Sequence, residues 1–256
     1  MKGVGKLGWV LAAVCFFLYA PIAIVIVMSF NASKIPFQWT GFSTQWYSEL
    51  FTNASVLEGL RNSLIVGVST MILSVVLGVL LAIGITRHST SPAVQALALA
   101  PAIVPDLALA IGLLALFSAI SFPLGLTTVI LSHTIFCMAF VAAIARGRIL
   151  QIDPALEEAA LDLGDTPRGV FFRVTVPSLM PAIIAGALLS FTLSFDEFVI
   201  TFFTNGPSTP TLPIVIYSMV RFGVTPEINA LASLVLLFSV VIVLISQRSV
   251  KLSQSI

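Results

Sequence analysis

The 256-residue chain is 58% hydrophobic and only 9% charged, with a net charge of +1 and a mean hydropathy of +1.10. A soluble globular domain carries about 25% charged residues, so a body of this size would have too little polar surface to stay in water. These figures exclude a soluble domain, leave no bulk charge with which to hold nucleic acid, and predict an all-α integral membrane protein. The two cysteines, Cys15 and Cys137, lie in apolar runs and imply no disulfide framework.

The chain opens on a basic start, Lys2 and Lys6, followed by an apolar stretch from Leu7 to Phe30. That stretch exceeds the roughly 7–15 residues of a cleaved signal core, so it reads as an uncleaved first helix. Six stretches reach the ~20 residues that a span requires: 8–30, 62–86, 95–119, 126–145, 179–203 and 229–247. The third and fourth are joined by a short SFPLG turn and form a hairpin. With a cytoplasmic N-terminus, the inside segments hold Lys2, Lys6, Arg87, Arg146, Arg148, Arg168, Arg173, Arg248 and Lys251. The outside segments then hold Lys34, Arg61 and Arg221. This asymmetry predicts that both termini are cytoplasmic. The reading is one membrane domain over 1–256, with lipid around it. Outside lie 31–61, where Trp39, Trp46 and Tyr47 read as interface anchors, and the proline-rich 204–228, which reads as partly re-entrant.

The inside connection, 146–178, contains EEAALDLGDTPRGVFFRVTVP. Asp153-Pro154 reads as a helix start by side-chain cap and N1 proline. Leu156, Ala159, Ala160 and Leu163 fall on one apolar stripe, and Gly164 ends the helix. Thr166-Pro167 begins a second helix by the same device. Two short helices at a cytoplasmic surface suit either a docking element for a soluble partner or an interfacial connector.

This stretch resembles the EAA loop of the permease subunits of bacterial ABC importers: E-A-A, three residues, Gly, nine residues, then I-x-L-P. Here the pattern falls on Glu158, Ala159, Ala160, Gly164, Val174, Val176 and Pro177, with valine at both aliphatic positions. The segments YAPIAIVIVMSFNAS, LSHTIFCMAFV and LSFDEFVITFFTNGPSTPTLPIVIYSMVRFGVTPEINA extend the resemblance over most of the chain. They are similar to the C-type permease of spermidine/putrescine importers. The resemblance implies a type I importer permease fold and a loop that seats in an ATPase subunit. It also implies a second, similar permease, two ATPase chains and an extracytoplasmic solute-binding protein. No G-x-x-x-x-G-K-[ST] phosphate loop occurs, so the chain is expected to be no enzyme and to hold no cofactor, with ATP and Mg on the partner ATPase. Arg221 and Glu227 are candidates to contact the solute-binding protein.

Three carboxylates fall inside predicted spans: Asp106, Asp196 and Glu197. No lysine or arginine lies at their depth, so each faces water, a proton or a cation from outside. Pro101 and Pro105 remove backbone donors beside Asp106, which leaves the carbonyls of Leu97 and Pro101 open to a cation. For Asp196 and Glu197 two arrangements stand. A break at Ser194 makes Glu197 part of a capping box; a continuous helix aligns Ser190, Ser194, Glu197, Thr201 and Thr204 along a polar path. Tyr217 is a candidate gate with cation–π capacity. His133 and Cys137, at i and i+4, are too few for a closed metal site and read as a hydrogen-bonded packing pair. The expected function is polyamine import. The alternatives are the same machine for another amine or organic solute, and a proton-coupled carrier or intramembrane enzyme.

Overall fold

In long apolar stretches helix is the structure that satisfies its own backbone, and the computed structural model is helical throughout its long elements. It describes residues 4–35, 38–88, 91–223 and 225–254; Lys2 of the orientation argument lies outside them. In order the helices are α1 (Val4–Met28), α2 (Gln45–Leu50), α3 (Ala54–Ile83), α4 (Pro92–Leu99), α5 (Asp106–Ala119) and α6 (Leu126–Ile149). Then follow α7 (Ala155–Asp162), α8 (Pro167–Val170), α9 (Val176–Asp196), α10 (Val199–Thr204), α11 (Leu212–Arg221) and α12 (Pro226–Gln254). Among the described residues the only β pairing is an isolated bridge, Asn31 with Phe42.

Among the described residues four continuous helical stretches are long and apolar enough to cross a bilayer: Leu7–Met28, Ala54–His88, Leu126–Ile149 and Pro167–Asp196. The third expected span is not one rod. Pro92–Ala102 and Asp106–Ala119 meet at 97° across a break, as two prolines four residues apart dictate. The fifth also breaks, between α9 and α10. The second inside helix is not a separate short element either: α8 runs through a π turn, Phe171–Thr175, directly into α9. Pro177 cannot return a hydrogen bond to Arg173, and the wider turn stands just before it.

The chain divides into two compact units. One comprises Met1–Glu58 and Val215–Val240. In it Asn31 organises the loop that follows α1: its side chain accepts from the Ser33 and Thr40 N–H groups (3.2 and 3.1 Å) and donates to the Gln38 carbonyl (2.8 Å). Trp46 is buried and donates Nε1–H to the Asn31 carbonyl (2.7 Å), while Tyr47 shares a 2.7 Å hydrogen bond with Ser29. Trp46 is therefore a lock of the loop and not an interface anchor, because its one donor is spent inside; Trp39 is half exposed.

The second unit comprises Gly59–Ile214 and Val241–Ile256. α6 is its axis and packs along α9, with Val79, Ala82, Val141, Ala142, Ala145, Ile149 and Leu179 in one buried cluster. Close approach is set by Gly78: a Cβ there would stand 2.8 Å from the Met138 carbonyl and from Val141 Cβ. A second cluster, including Ala110, Leu113, Phe117, Phe136, Cys137 and Ile200, seats α5 and α10 on α6. It is this packing that brings the two broken helices together.

Candidate functional site

At the inside end, α7 starts close to where its sequence dictates. Asp153 Oδ1 accepts the Ala155 N–H (3.0 Å) as expected, but Pro154 takes the N-cap place and the helix begins one residue later, at Ala155. Gly164 sits at φ +87°, and the Gly164 and Asp165 N–H groups close on the carbonyls of Leu161 and Ala160. This is a Schellman end, which the left-handed glycine makes possible. Thr166 Oγ1 then accepts the Gly169 N–H (3.1 Å) and opens α8.

The predicted stripe on α7 exists but is uncovered by its own chain: Leu163 is 89% and Leu156 54% exposed. Glu158, Ala159, Gly164 and Pro177 are exposed, while Ala160, Val174 and Val176 are half-buried. Phe172, 68% exposed on the π turn, adds to the open apolar surface.

Sequence reasoning passed over the neighbouring acid. Glu157 receives both Arg87 guanidinium nitrogens (2.7 and 3.0 Å) and the Thr175 hydroxyl (2.6 Å). One carboxylate thus ties together the inner end of the second span, α7 and the π turn leading into α9. Burial alone would raise its pKa, but the hydrogen bonds from Arg87 and Thr175 and the Arg87 charge outweigh it and hold the group below the usual glutamate value. The available signal was a basic residue ending one span and an acid facing it on the next inside helix.

In mid-chain, Asp106 opens α5 immediately after the break and is exposed. The Leu97 carbonyl, expected to be open, accepts the Ala100 N–H through a tight 3-10 turn, so the proline break frees fewer acceptors than the bare sequence implies.

α9 ends at Asp196 and the chain becomes extended at Glu197 (φ −72°, ψ 110°) before α10 begins. The break is thus neither at Ser194 nor absent. Glu197 does cap, but forwards: its Oε1 accepts the Ile200 N–H (2.9 Å). A break three residues later than Ser194 leaves that carboxylate beside the next helix start, not the previous one. Asp196 is exposed and Glu197 half-buried. Asp106 and Glu197 lie within electrostatic reach of each other, and α10 packs on α5. The structure therefore brings Asp106 and Glu197 to one place, with Asp196 next to Glu197 in the chain at the end of α9.

The hydroxyl stripe expected to line a path turns inward instead. Ser190, Ser194, Thr201 and Thr204 are buried and face α6. Thr128 Oγ1 donates to the Thr204 carbonyl (2.6 Å), and Cys137 Sγ to the Ser190 carbonyl (3.6 Å). Between them the two His133 ring nitrogens meet Ser194 Oγ (2.8 Å) and Thr201 Oγ1 (2.9 Å). His133 and Cys137 are both buried, but they do not bond each other as a pair; each bonds the broken span instead.

Tyr217, Arg221 and Glu227 belong to the first unit and are not part of this cluster's own unit. α11 is amphipathic, with Tyr217 44% exposed and Arg221 exposed in its last turn. Glu227, in the first turn of α12, accepts from Asn53 Nδ2 (2.8 Å).

Residues 74–255 match the family model described as "Binding-protein-dependent transport system inner membrane component". The chain is 41% identical over 229 residues to the "Putrescine transport system permease protein PotI" of Escherichia coli K12, covering 86% of this chain and 82% of that one. It is 40% identical over 248 residues to the "Spermidine/putrescine transport system permease protein PotC" of the same strain, covering 95% and 94%. Among solved structures, a chain of a bacterial ABC transporter involved in import of the acidic polysaccharide alginate superposes with a TM-score of 0.74. It is 20% identical and covers 96% of both chains, which speaks to the fold alone.

Proposed function

The chain belongs to the family of binding-protein-dependent transport system inner membrane components, and on that premise we propose that it is the C-type permease of an importer for putrescine and spermidine. Membership makes it a multi-pass permease subunit of an ATP-driven ABC importer, working with a partner permease, an ATPase and a solute-binding protein. ATP hydrolysis is the partner's task, and the proton-coupled carrier and intramembrane enzyme are set aside.

Beyond membership, the substrate reading rests on one observation: three carboxylates, Asp106, Asp196 and Glu197, stand at the breaks of two helices, Asp106 within electrostatic reach of Glu197, with no lysine or arginine within twenty residues on their own helices. A charged group facing lipid is costly, so exposed acids at this depth belong to a path or an inter-subunit face. A polyamine supplies the missing cations, and its spaced ammonium groups suit spaced carboxylates. The identity of about 40% to two permeases whose names carry putrescine supports the same substrate.

In the full reading the chain crosses six times with both termini inside, the sixth crossing lying in α12. It pairs with a different but similar permease and two ATPase chains, which bind ATP and Mg, and receives cargo from a polyamine-binding protein. The exposed stripe of α7, with Glu158, Ala159, Ala160 and Gly164, seats in the ATPase. Val174 and Pro177 carry its movement into α9 through the unbroken α8–α9 run. Tyr217 gates the outer mouth, and Arg221 and Glu227 face the binding protein. The test is uptake by the reconstituted complex: preference for di- and triamines over neutral analogues of equal length supports the reading. Equal transport of neutral analogues would instead favour the same machine carrying another organic solute.

A further inference from the structure

His133 is 1% exposed on α6 and uses both ring nitrogens on opposite sides of the break in the fifth span. Ser194 lies in the last turn of α9 and Thr201 in the first turn of α10. The hydroxyl proton of Thr201 is already spent on the Glu197 carbonyl (2.9 Å). A threonine hydroxyl has one proton and two lone pairs, so toward His133 it can only accept. Nε2 therefore carries the hydrogen and donates it to Thr201 Oγ1. With hydroxyls as its two partners and no carboxylate bonded to it, the ring is neutral, and Nδ1 accepts the Ser194 O–H.

We propose that His133, as the Nε2–H tautomer, is a positioning residue for the transported cation: it staples the two sides of the break and thereby sets where Asp196 and Glu197 stand. The proposal rests on the reading of those carboxylates as the cation path. The chain leaves the helix at Glu197, where backbone groups lose their i−4 partners. Each is replaced locally, the Glu197 carbonyl by Thr201 and the Ile200 N–H by the Glu197 side chain. Those substitutes hold one geometry only if Thr201 and Ser194 are themselves fixed, and a rigid five-membered ring with one donor and one acceptor fixes both. A side chain of the same volume without polarity would fill the space but leave the buried Ser194 hydroxyl without its acceptor and the Thr201 oxygen without its donor.

The experiment uses the whole importer, with its partner permease, ATPase and binding protein, reconstituted in liposomes. It measures radiolabelled putrescine and spermidine uptake per ATP hydrolysed at saturating loaded binding protein. If the staple places the carboxylates, His133→Ala and the isosteric Thr201→Val shift the putrescine-to-spermidine ratio by roughly threefold or more, because the two amines differ in the spacing of their charges. His133→Gln, which keeps a donor and an acceptor, returns the ratio toward wild type. The double variant H133A/T201V shifts it by less than the sum of the two single variants, since both remove the His133–Thr201 hydrogen bond. An equal fall in both amines, or no rescue by glutamine, overturns the proposal. Should H133A fail to assemble, T201V preserves the volume and still reads the ratio. Asp196→Asn is the control: unchanged uptake there overturns the path reading and this inference with it. Reduced uptake in D196N with a wild-type ratio in T201V overturns the staple alone.

Discussion

The inside end of the second unit and the break in its fifth span are both places where α9 is held to its neighbours, and they are held by opposite chemistry. At the inside end the clamp is charged: Arg87, Glu157 and Thr175, with both ionic side chains still partly wet. At the break the clamp is neutral: an imidazole, two hydroxyls and a thiol, all buried. Water explains the difference. An ion pair at a wet surface costs little desolvation and can be made and broken as a partner moves. Buried at the depth of His133 it would cost several kcal/mol per ion, so the fixed joint is built from neutral groups. The charges that do remain at the break are all of one sign; Glu197 spends one oxygen on capping α10, and in the proposed function the acids meet a cation that arrives with the substrate.

That contrast can be broken from either side. The largest effect is expected at the acids: Asp196→Asn or Asp106→Asn lowers polyamine uptake by tenfold or more while the complex still assembles, checked by uptake and by co-purification of the ATPase. Wild-type uptake in both variants would remove the distinction between ligand charges and scaffold. Next comes the docking face. Leu163→Glu places a charge on the exposed apolar C-cap of α7 and should weaken retention of the ATPase about tenfold, read by co-purification, with Glu158→Lys acting in the same direction.

The Arg87–Glu157 clamp sharpens the comparison further. Arg87→Glu or Glu157→Arg alone should lower uptake per ATP several-fold, and the charge swap of both should recover part of it. The coupling energy is expected on the order of 1 kcal/mol, since water screens the pair. Its pH dependence follows from the lowered Glu157 pKa. The contribution is full above the glutamate value of the unfolded chain and is lost as pH falls through the lower folded value. Thermal stability of the solubilised chain, compared between wild type and Glu157→Gln, should therefore converge only as pH falls below the ordinary glutamate value. The smallest effect is Thr166→Ala, which removes the α8 cap at about 1 kcal/mol; protease protection of the α7–α8 turn reads it.

Much of this was legible in the residues because it is local. Gly164, Thr166 and Asp153 dictate the ends of the inside helices through their own φ and hydrogen-bonding capacity; Gly164 and Thr166 act where expected, and Asp153 acts from one residue before the N-cap. The break near Asp106 was legible as Pro101 and Pro105, although the Leu97 carbonyl found a partner in a tight turn that spacing does not reveal. The partner of Glu157 was not legible, since Arg87 lies 70 residues away. Nor was the direction of the hydroxyl stripe: the spacing of Ser190, Ser194, Thr201 and Thr204 describes one face, but not whether that face meets a path or a neighbouring helix. Trp46 was misread for the same reason, because an aromatic at a predicted interface looks alike whether its N–H finds lipid headgroups or the Asn31 carbonyl.

By itself, then, the sequence determined that the chain lives in a membrane, that it is helical, and that it carries the docking loop of an importer permease. Composition and turn chemistry act within a few residues and need no fold to be read. Only the tertiary structure decided that the fifth span breaks at Glu197, that Asp106 is brought to that break, and that a histidine on α6 holds its two sides. Those outcomes depend on which helices pack together, and the energy that selects them is spread over contacts between residues far apart in the chain.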